Sequence, residues 1–599
     1  MFWQPRVSDG YLGSPAPGEG VDAPPKTPAE EASKADLLWG LKAPMRDGVN
    51  LSVTVYKPRD QRGPVPAIFT LTPYISDSYL DRALYFAKRS YAFALVDVRG
   101  RGNSEGVFEP FADDGRDGHD VVEWLARQPW CDGNVAMWGG SHAGFNQWST
   151  LKEFPAHLKT IVPAAAAQPG VDFPYYKNIC SPYQMQWLTF TSGVTGNDQI
   201  FANSDFWISK FTELFNSHAP FRDLDRIVGN GTSTFQKWVA HPTPDEYWES
   251  MTPTQEDYRR MSLPILTITG HYDADQPGAM TYYRNHMKYG TAEAKRQHYL
   301  IIGPWDHPGT RTPKKEFGGL TVGDASVLDL NDLHRRWYDW TMKKGEKPEF
   351  LKNRVAYYVP GAEVWKYADS LESIAAGTLK LFLCSRDGQA RDAFHSGTLT
   401  PEEPTDSGPD TYAYDPLDTR PADLYQKDFL PTFITDQTNA LNLFGNGLVY
   451  HTEPFESETE LTGFARLALW MELDVPDTDF MAEVCEVKAN GTSIMLTQDL
   501  LRARYRNSLK KEELVRPGEV SRYEFDGFTF FSRQVAKNSR LRLTINCPNS
   551  IYYEKNYNGG GVVAEESGKD AKTAHVKLYH DRVHPSCLEI PVVRAKDRA

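Results

Sequence analysis

Three side chains stand where acyl-transfer chemistry would need them. Ser141 lies in Trp138-Gly139-Gly140-Ser141-His142-Ala143-Gly144-Phe145, between an apolar run and a helix-like stretch. Gly-x-Ser-x-x-Gly is a variant of the nucleophile elbow, a tight strand-to-helix turn that leaves a serine Oγ exposed. Small residues on either side let strand and helix approach, and the next backbone amide, that of His142, points where an oxyanion would form. A serine needs a base, and the base needs a group to orient it. A later apolar run ends in Gly270-His271-Tyr272-Asp273-Ala274-Asp275, and the next in Gly303-Pro304-Trp305-Asp306-His307. Serine, acid and histidine therefore follow in order, each at the end of a candidate strand. Periodicity does not choose between Asp273 and Asp275.

The elements that must position these residues are legible. Leu51–Val55 alternates apolar and polar residues; Val65–Leu71, Ala92–Val96, Val135–Trp138, Pro264–Gly270 and Tyr299–Gly303 are short apolar runs. With helical stretches at Val121–Ala126 and His142–Leu151, they predict a mostly parallel α/β sheet. Leu330, Leu333, Trp337 and Trp340 add an amphipathic helix. Residues 165–255 break the alternation with aromatics and helix formers, as an inserted helical cap would. From residue 348 to 599, short alternating runs between Pro, Gly, Asp and Asn clusters predict an all-β sandwich. Residues 1–36, rich in Pro, Gly and Ala, read as an N-terminal arm. The core is expected over 37–164 and 256–347.

Composition excludes several classes. The formal net charge is −14, which disfavours binding nucleic acid or anionic lipid through bulk charge. No apolar run has the length of a membrane helix, and the first residues carry no signal-peptide stretch. The six cysteines are scattered without a close pair, which suits free thiols in a reducing, cytoplasmic compartment. Gly100, Gly102 and Gly106 have the wrong spacing for a dinucleotide loop, and His580 and His584 lie in a β-type stretch that does not suit a helical zinc pair. No cofactor or metal is implied.

The chain resembles the cocaine esterase / X-prolyl dipeptidyl-peptidase family of α/β hydrolases, which also holds α-amino-acid ester hydrolases and glutaryl-cephalosporin acylases. The likeness is carried by Met45-Arg-Asp-Gly48, Val55-Tyr-Lys-Pro58, Thr72-Pro73-Tyr74, Asp97-Val-Arg-Gly-Arg-Gly-Asn-Ser-Glu-Gly106, Asp117–Ala126, Gln128–Gly133 and Gly303–His307. Pro476–Phe480, Leu501–Arg506 and Asn556–Gly559 resemble its C-terminal jelly-roll. The resemblance implies an α/β-hydrolase core with an inserted helical cap and a C-terminal jelly-roll domain. It implies Ser141 as nucleophile, His307 as base, Asp273 as orienter, and an oxyanion hole built from the Tyr74 hydroxyl and the His142 amide. The family usually places Tyr after its serine; here His142 keeps the backbone donor and changes the side chain expected to line the acyl pocket. Tyr175, Trp187 and Trp207 are the cap aromatics expected to face the substrate. Asp275 is expected to be, at most, a lone rim charge or a turn cap. The expected activity is hydrolysis of a small-molecule ester or amide through an acyl-enzyme. An X-Pro dipeptidyl-peptidase, an acyltransferase and a non-catalytic glycan-binding protein are the alternatives, and a homo-oligomer is left open.

Overall fold

The computed structural model of the chain describes residues 34–386, 388, 390–425 and 432–593. The predicted arm lies outside them except for its last three residues, of which Ala35 and Asp36 already belong to the first strand.

One ten-stranded sheet carries the first half of the chain. Its strands are β1 (Ala35–Pro44), β2 (Asn50–Pro58), β3 (Val65–Thr72), β4 (Ala92–Asp97), β5 (Cys131–Ser141), β6 (Leu158–Ala166), β7 (Ile265–Tyr272), β8 (His298–Asp306), β9 (Val355–Val359) and β10 (Val364–Ala368). Their spatial order is β1-β2-β4-β3-β5-β6-β7-β8-β9-β10. The centre, from β4 to β9, is parallel; the hairpins β1–β2 and β9–β10 run antiparallel at the edges.

Helices cover both faces, which is why β3 and β4 read as unbroken apolar runs. On one face Val121, Leu125, Trp148 and Tyr282 pack on Phe69, Val96, Met137 and Ile265. These residues come from α1 (Asp114–Ala126), α2 (His142–Leu151) and α3 (Gln276–Tyr289). On the other face Leu330, Leu333, Trp337 and Tyr338 of α4 (Leu330–Lys343) pack on Ile68, Trp138 and Ile301. Met137 and Trp138 thus serve opposite cores, as neighbours on a strand must.

Between β6 and β7 the chain leaves the sheet. It forms one two-residue hairpin, Tyr175–Tyr176 with Ile179–Cys180, and a series of helices. Trp187, Trp207, Trp238, Trp248, Phe201 and Phe211 fill their shared core. The second half of the chain, from Gly377, builds a thirteen-stranded, mainly antiparallel sheet system. Its strands alternate buried and open positions, as in Arg466–Leu473. The expected boundary after residue 347 is corrected by the pairing: β9 runs parallel to β8 and β10 closes on β9, so the first sheet extends to Ala368. Among the described residues no helix is long and apolar enough to cross a membrane.

Candidate active site

Ser141 ends β5 and caps α2 with φ 62° and ψ −125°, a backbone conformation that L-residues rarely adopt. Three glycines make the turn sterically possible. A Cβ on Gly139 would fall 2.6 Å from the Ala143 Cβ, and one on Gly140 would fall 2.5 Å from the Arg311 Cδ. A Cβ on Gly144 would fall 2.8 Å from the Ala164 carbonyl oxygen. Such a left-handed position costs of order 1–3 kcal/mol and persists only when the surrounding packing imposes it. Here α2 is buried throughout its length.

Asp273 and His307 emerge from the ends of adjacent strands. His307 Nδ1 and Asp273 Oδ1 lie 2.7 Å apart, with the carboxylate wholly buried. Thr269 Oγ1 donates to Asp273 Oδ2 at 2.8 Å, and the Asp275 amide donates to Oδ1 at 3.1 Å. The acid is therefore fixed from three sides. Burial pushes His307 below its ordinary pKa; the Asp273 hydrogen bond works against that, and the nearby Arg311 cation adds to it. Neutral imidazole, the form a general base needs, is thus favoured.

Tyr74, just past β3, places its hydroxyl 3.2 Å from Ser141 Oγ. The indole N–H of Trp187 donates to that same hydroxyl at 3.2 Å. Burial holds the phenol above its ordinary pKa, so it stays a donor. The turn carrying Tyr74 is tied down by Arg101, which is fully buried and donates to the Pro73 carbonyl at 2.8 Å. The other end of that guanidinium reaches the Ser192 carbonyl of the cap at 2.9 Å.

The cap aromatics divide. Trp187 belongs to the site through Tyr74. Tyr175 instead donates to the Trp238 carbonyl at 3.0 Å, and Trp207 to the Ile200 carbonyl at 2.7 Å while packing on Phe211. Both are consumed by the interior of the cap, which corrects their expected place on the substrate. The His142 side chain departs from expectation too. Its Nε2 lies 3.2 Å from Asp114 Oδ2, and its ring packs on Phe111 and Trp187.

Asp275 is not a rim charge; it is buried at the N-cap of α3, where its side chain makes no capping hydrogen bond. It is 2% exposed, and its carboxyl oxygen lies 3.7 Å from His307 Nδ1. With Asp172, Phe173, Tyr176 and Gln184 it lines a pocket of about 40 Å³. Asp172, Arg101, Arg311 and Asp114 were not singled out by the sequence. Asp172 and Asp114 follow no motif, and Arg311 becomes relevant only through the close approach of Gly140. Arg101 alone carried a signal, lying within the Asp97–Gly106 loop.

A serine on a strained strand-to-helix turn, with an aspartate and a histidine at the ends of two later, adjacent strands of a mostly parallel sheet, defines the α/β-hydrolase class of serine hydrolases. Residues 47–309 match the X-Pro dipeptidyl-peptidase (S15) family, and residues 338–589 match the X-Pro dipeptidyl-peptidase C-terminal non-catalytic domain. The chain belongs to this cocaine esterase / X-Pro dipeptidyl-peptidase family. It is 27% identical over 585 residues to the cocaine esterase of Rhodococcus sp. (strain MB1 Bresler), covering 92% of this chain and 97% of that one. Among solved structures it is similar to an α-amino acid ester hydrolase, with TM-score 0.80 and 19% identity over 97% of this chain and 100% of that one. It is also similar to an aminopeptidase from a marine sediment Thaumarchaeota archaeon, with TM-score 0.79 and 19% identity over 96% and 99%.

Proposed function

We propose that this chain hydrolyses a small carboxylic ester through a covalent acyl-enzyme, with Ser141 as nucleophile, His307 as base and Asp273 as its orienter. The observation that carries the reading is the 2.7 Å contact between His307 Nδ1 and the buried Asp273, in a chain whose Ser141 is held at φ 62° on the turn after β5. With Nδ1 engaged by the carboxylate, Nε2 is the nitrogen left to take the serine proton. Oγ attacks the carbonyl carbon, the C=O electrons move onto oxygen, and the His142 amide and Tyr74 hydroxyl receive that charge. Collapse expels the alkoxide, which takes the proton from His307. Water then repeats the sequence on the acyl-enzyme.

Support for an ester comes from the whole-length likeness to an esterase. Peptide cleavage after proline, suggested by the family description, and acyl transfer to another alcohol use the same machinery. They differ only in leaving group or acceptor. The test is fluorophosphonate labelling, followed by hydrolysis of acetyl, benzoyl, glutaryl, phenylglycyl and X-Pro substrates. Ser141→Ala should lose both labelling and turnover while its unfolding transition is retained. Labelling that survives at another serine, Ser104 included, refutes the assignment. A well-folded wild-type chain that takes no label would move it to the binding-protein class.

A further inference from the structure

The C-terminal domain holds a pocket that the proposed reaction does not use. Five asparagines line a cavity of about 40 Å³ there, among them Asn442, Asn446, Asn546 and Asn549. A wider hollow of about 420 Å³ adjoins it, and Phe444, Asn446 and Asn549 line both spaces. Asn546 ends the strand Arg540–Asn546, with Gly447 opposite it on one neighbouring strand and Met481 on the other. A Cβ on Gly447 would fall 2.7 Å from the Asn546 Cβ, so this pairing needs the glycine.

The amides are oriented by what they donate to. Asn442 Nδ2 donates to the Gly447 carbonyl at 2.9 Å, Asn446 Nδ2 to the Cys547 carbonyl at 3.0 Å, and Asn549 Nδ2 to the Asp418 carbonyl at 3.1 Å. A carbonyl acceptor fixes which end of an amide faces it. The donor ends are spent on the main chain, and the oxygens turn elsewhere. Asn546 Oδ1 and Asn549 Oδ1 find no partner, although the two residues are only 7% and 9% exposed. Buried acceptors are rarely left unpaired, so these two call for a ligand that brings O–H or N–H groups.

The walls decide its charge. Among the described residues no Asp, Glu, Lys or Arg lines the inner cavity. In the outer hollow Arg420 holds Asp418 through two hydrogen bonds, of 2.8 and 2.6 Å. An ammonium group or a metal ion entering the cavity would exchange its water for neutral amides alone. An anion would meet oxygens. Hydroxyls match the unpaired oxygens without a charge to compensate. Phe444, with Arg420 5.2 Å from its ring centroid, adds an apolar surface beside them. Apolar walls with a few placed polar groups are the usual make-up of a small-molecule site.

We propose that this pocket binds a neutral polyol, with a single sugar ring seated in the hollow and its hydroxyls donating to Asn546 Oδ1 and Asn549 Oδ1. The outer hollow has the size of a small-ligand site, about 300–1,000 Å³. The inner cavity has room for roughly three waters, or for one hydroxymethyl arm. None of Ser141, Asp273, His307 and Tyr74 lines either space, so the inference does not rest on the hydrolase reading.

The experiment is ligand-detected saturation-transfer NMR on the full chain. The probes are methyl glucoside, methyl galactoside, methyl mannoside, N-acetylglucosamine and myo-inositol. At least one should receive saturation at concentrations up to about 20 mM, the weak affinity that a few hydrogen bonds give. Asn546→Ala and Asn549→Ala should each weaken that binding about three- to tenfold, the worth of one hydrogen bond. Phe444→Ala truncates a half-buried ring and should weaken it too, which keeps the test decisive if an asparagine variant fails to fold. Ser141→Ala, and the chain after fluorophosphonate treatment, should bind as the untreated chain does. Saturation of none of the probes overturns the proposal and leaves the two oxygens to water. Binding kept by all three pocket variants, or abolished by the fluorophosphonate, also overturns it, because the sugar then lies elsewhere. Displacement of the sugar by ammonium or calcium at matched ionic strength would overturn it in favour of a cation site. Binding is read without turnover, so a chain that never takes the label still tests the proposal.

Discussion

Replacing Tyr74 by Phe removes one oxygen from the centre of the proposed oxyanion hole and leaves the ring in place. That ring stacks on Phe190 at 5.5 Å between centroids, so the packing is kept. The hydroxyl oxygen already accepts the Trp187 N–H, which directs its own proton away from the indole and toward Ser141, 3.2 Å distant. In the resting state this is a neutral contact; when the carbonyl oxygen becomes an anion beside Ser141, the same O–H meets a full charge. Loss of one such donor costs about 10²–10³ in kcat, or roughly 3–4 kcal/mol, because the interaction is made mainly in the transition state. KM should change little. The variant also strands the Trp187 N–H in a buried site, for about 1–3 kcal/mol of stability. Steady-state kinetics on a neutral ester separate kcat from KM, and a thermal melt registers the stranded donor separately. A Tyr74→Phe enzyme with full kcat would show that the hole is built from backbone amides alone. A rise in KM at constant kcat would make Tyr74 a substrate-binding group.

Asp273→Asn should lower kcat by about 10⁴, the loss seen when an orienting aspartate no longer fixes the histidine tautomer; an unimpaired variant would transfer the role to Asp275. The acid limb of kcat/KM should lie below the ordinary histidine value of about 6.5, because burial and Arg311 depress His307. Protonation removes the base, so activity is full above that limb and falls as pH decreases through it; a limb above 7 would contradict the depressed value. Gly144→Ala should destabilise the fold by about 1–3 kcal/mol in a denaturant titration, since its Cβ meets backbone of β6 at 2.8–2.9 Å; an unchanged midpoint would mean that α2 can shift outward freely.

The proposed reacting groups were readable because their chemistry coincides with element boundaries. Ser141, Asp273 and His307 each follow a buried strand, and buried strands announce themselves as short apolar runs. What the chain hid were contacts between segments distant in sequence. Asp172 and Asp275 look like ordinary turn acids; only the packing of the segment after β6 against the start of α3 makes them one pocket. Aromatic content marked residues 165–255 as a cap but did not say which rings face the serine. Trp187 and Trp207 are equally buried, and only the first hydrogen-bonds Tyr74. The boundary at 347 failed for a related reason. Val355–Val359 and Val364–Ala368 are a short β-hairpin, and alternation alone does not tell which sheet a hairpin joins.

The residue after the serine shows how one departure from a family pattern is absorbed. A tyrosine there was expected to be replaced by a histidine lining the acyl pocket. Instead the His142 ring turns to Asp114 and packs on Phe111 and Trp187, 4.6 Å and 5.6 Å away between centroids. Trp187 is the same residue that donates to Tyr74. The two proposed oxyanion donors, one a backbone amide and one a phenol, therefore rest on a single aromatic cluster. His142 supplies the amide and, through its ring, part of the wall that holds the indole. Trp187 then fixes the direction of the phenolic proton. The Trp187 indole belongs to the cap and the Tyr74 turn belongs to the sheet, with Arg101 bridging from the Pro73 carbonyl to the Ser192 carbonyl. The position of the cap and the alignment of the Tyr74 donor are thereby mechanically joined, so changes deep in the cap core should register in kcat before they register in substrate affinity.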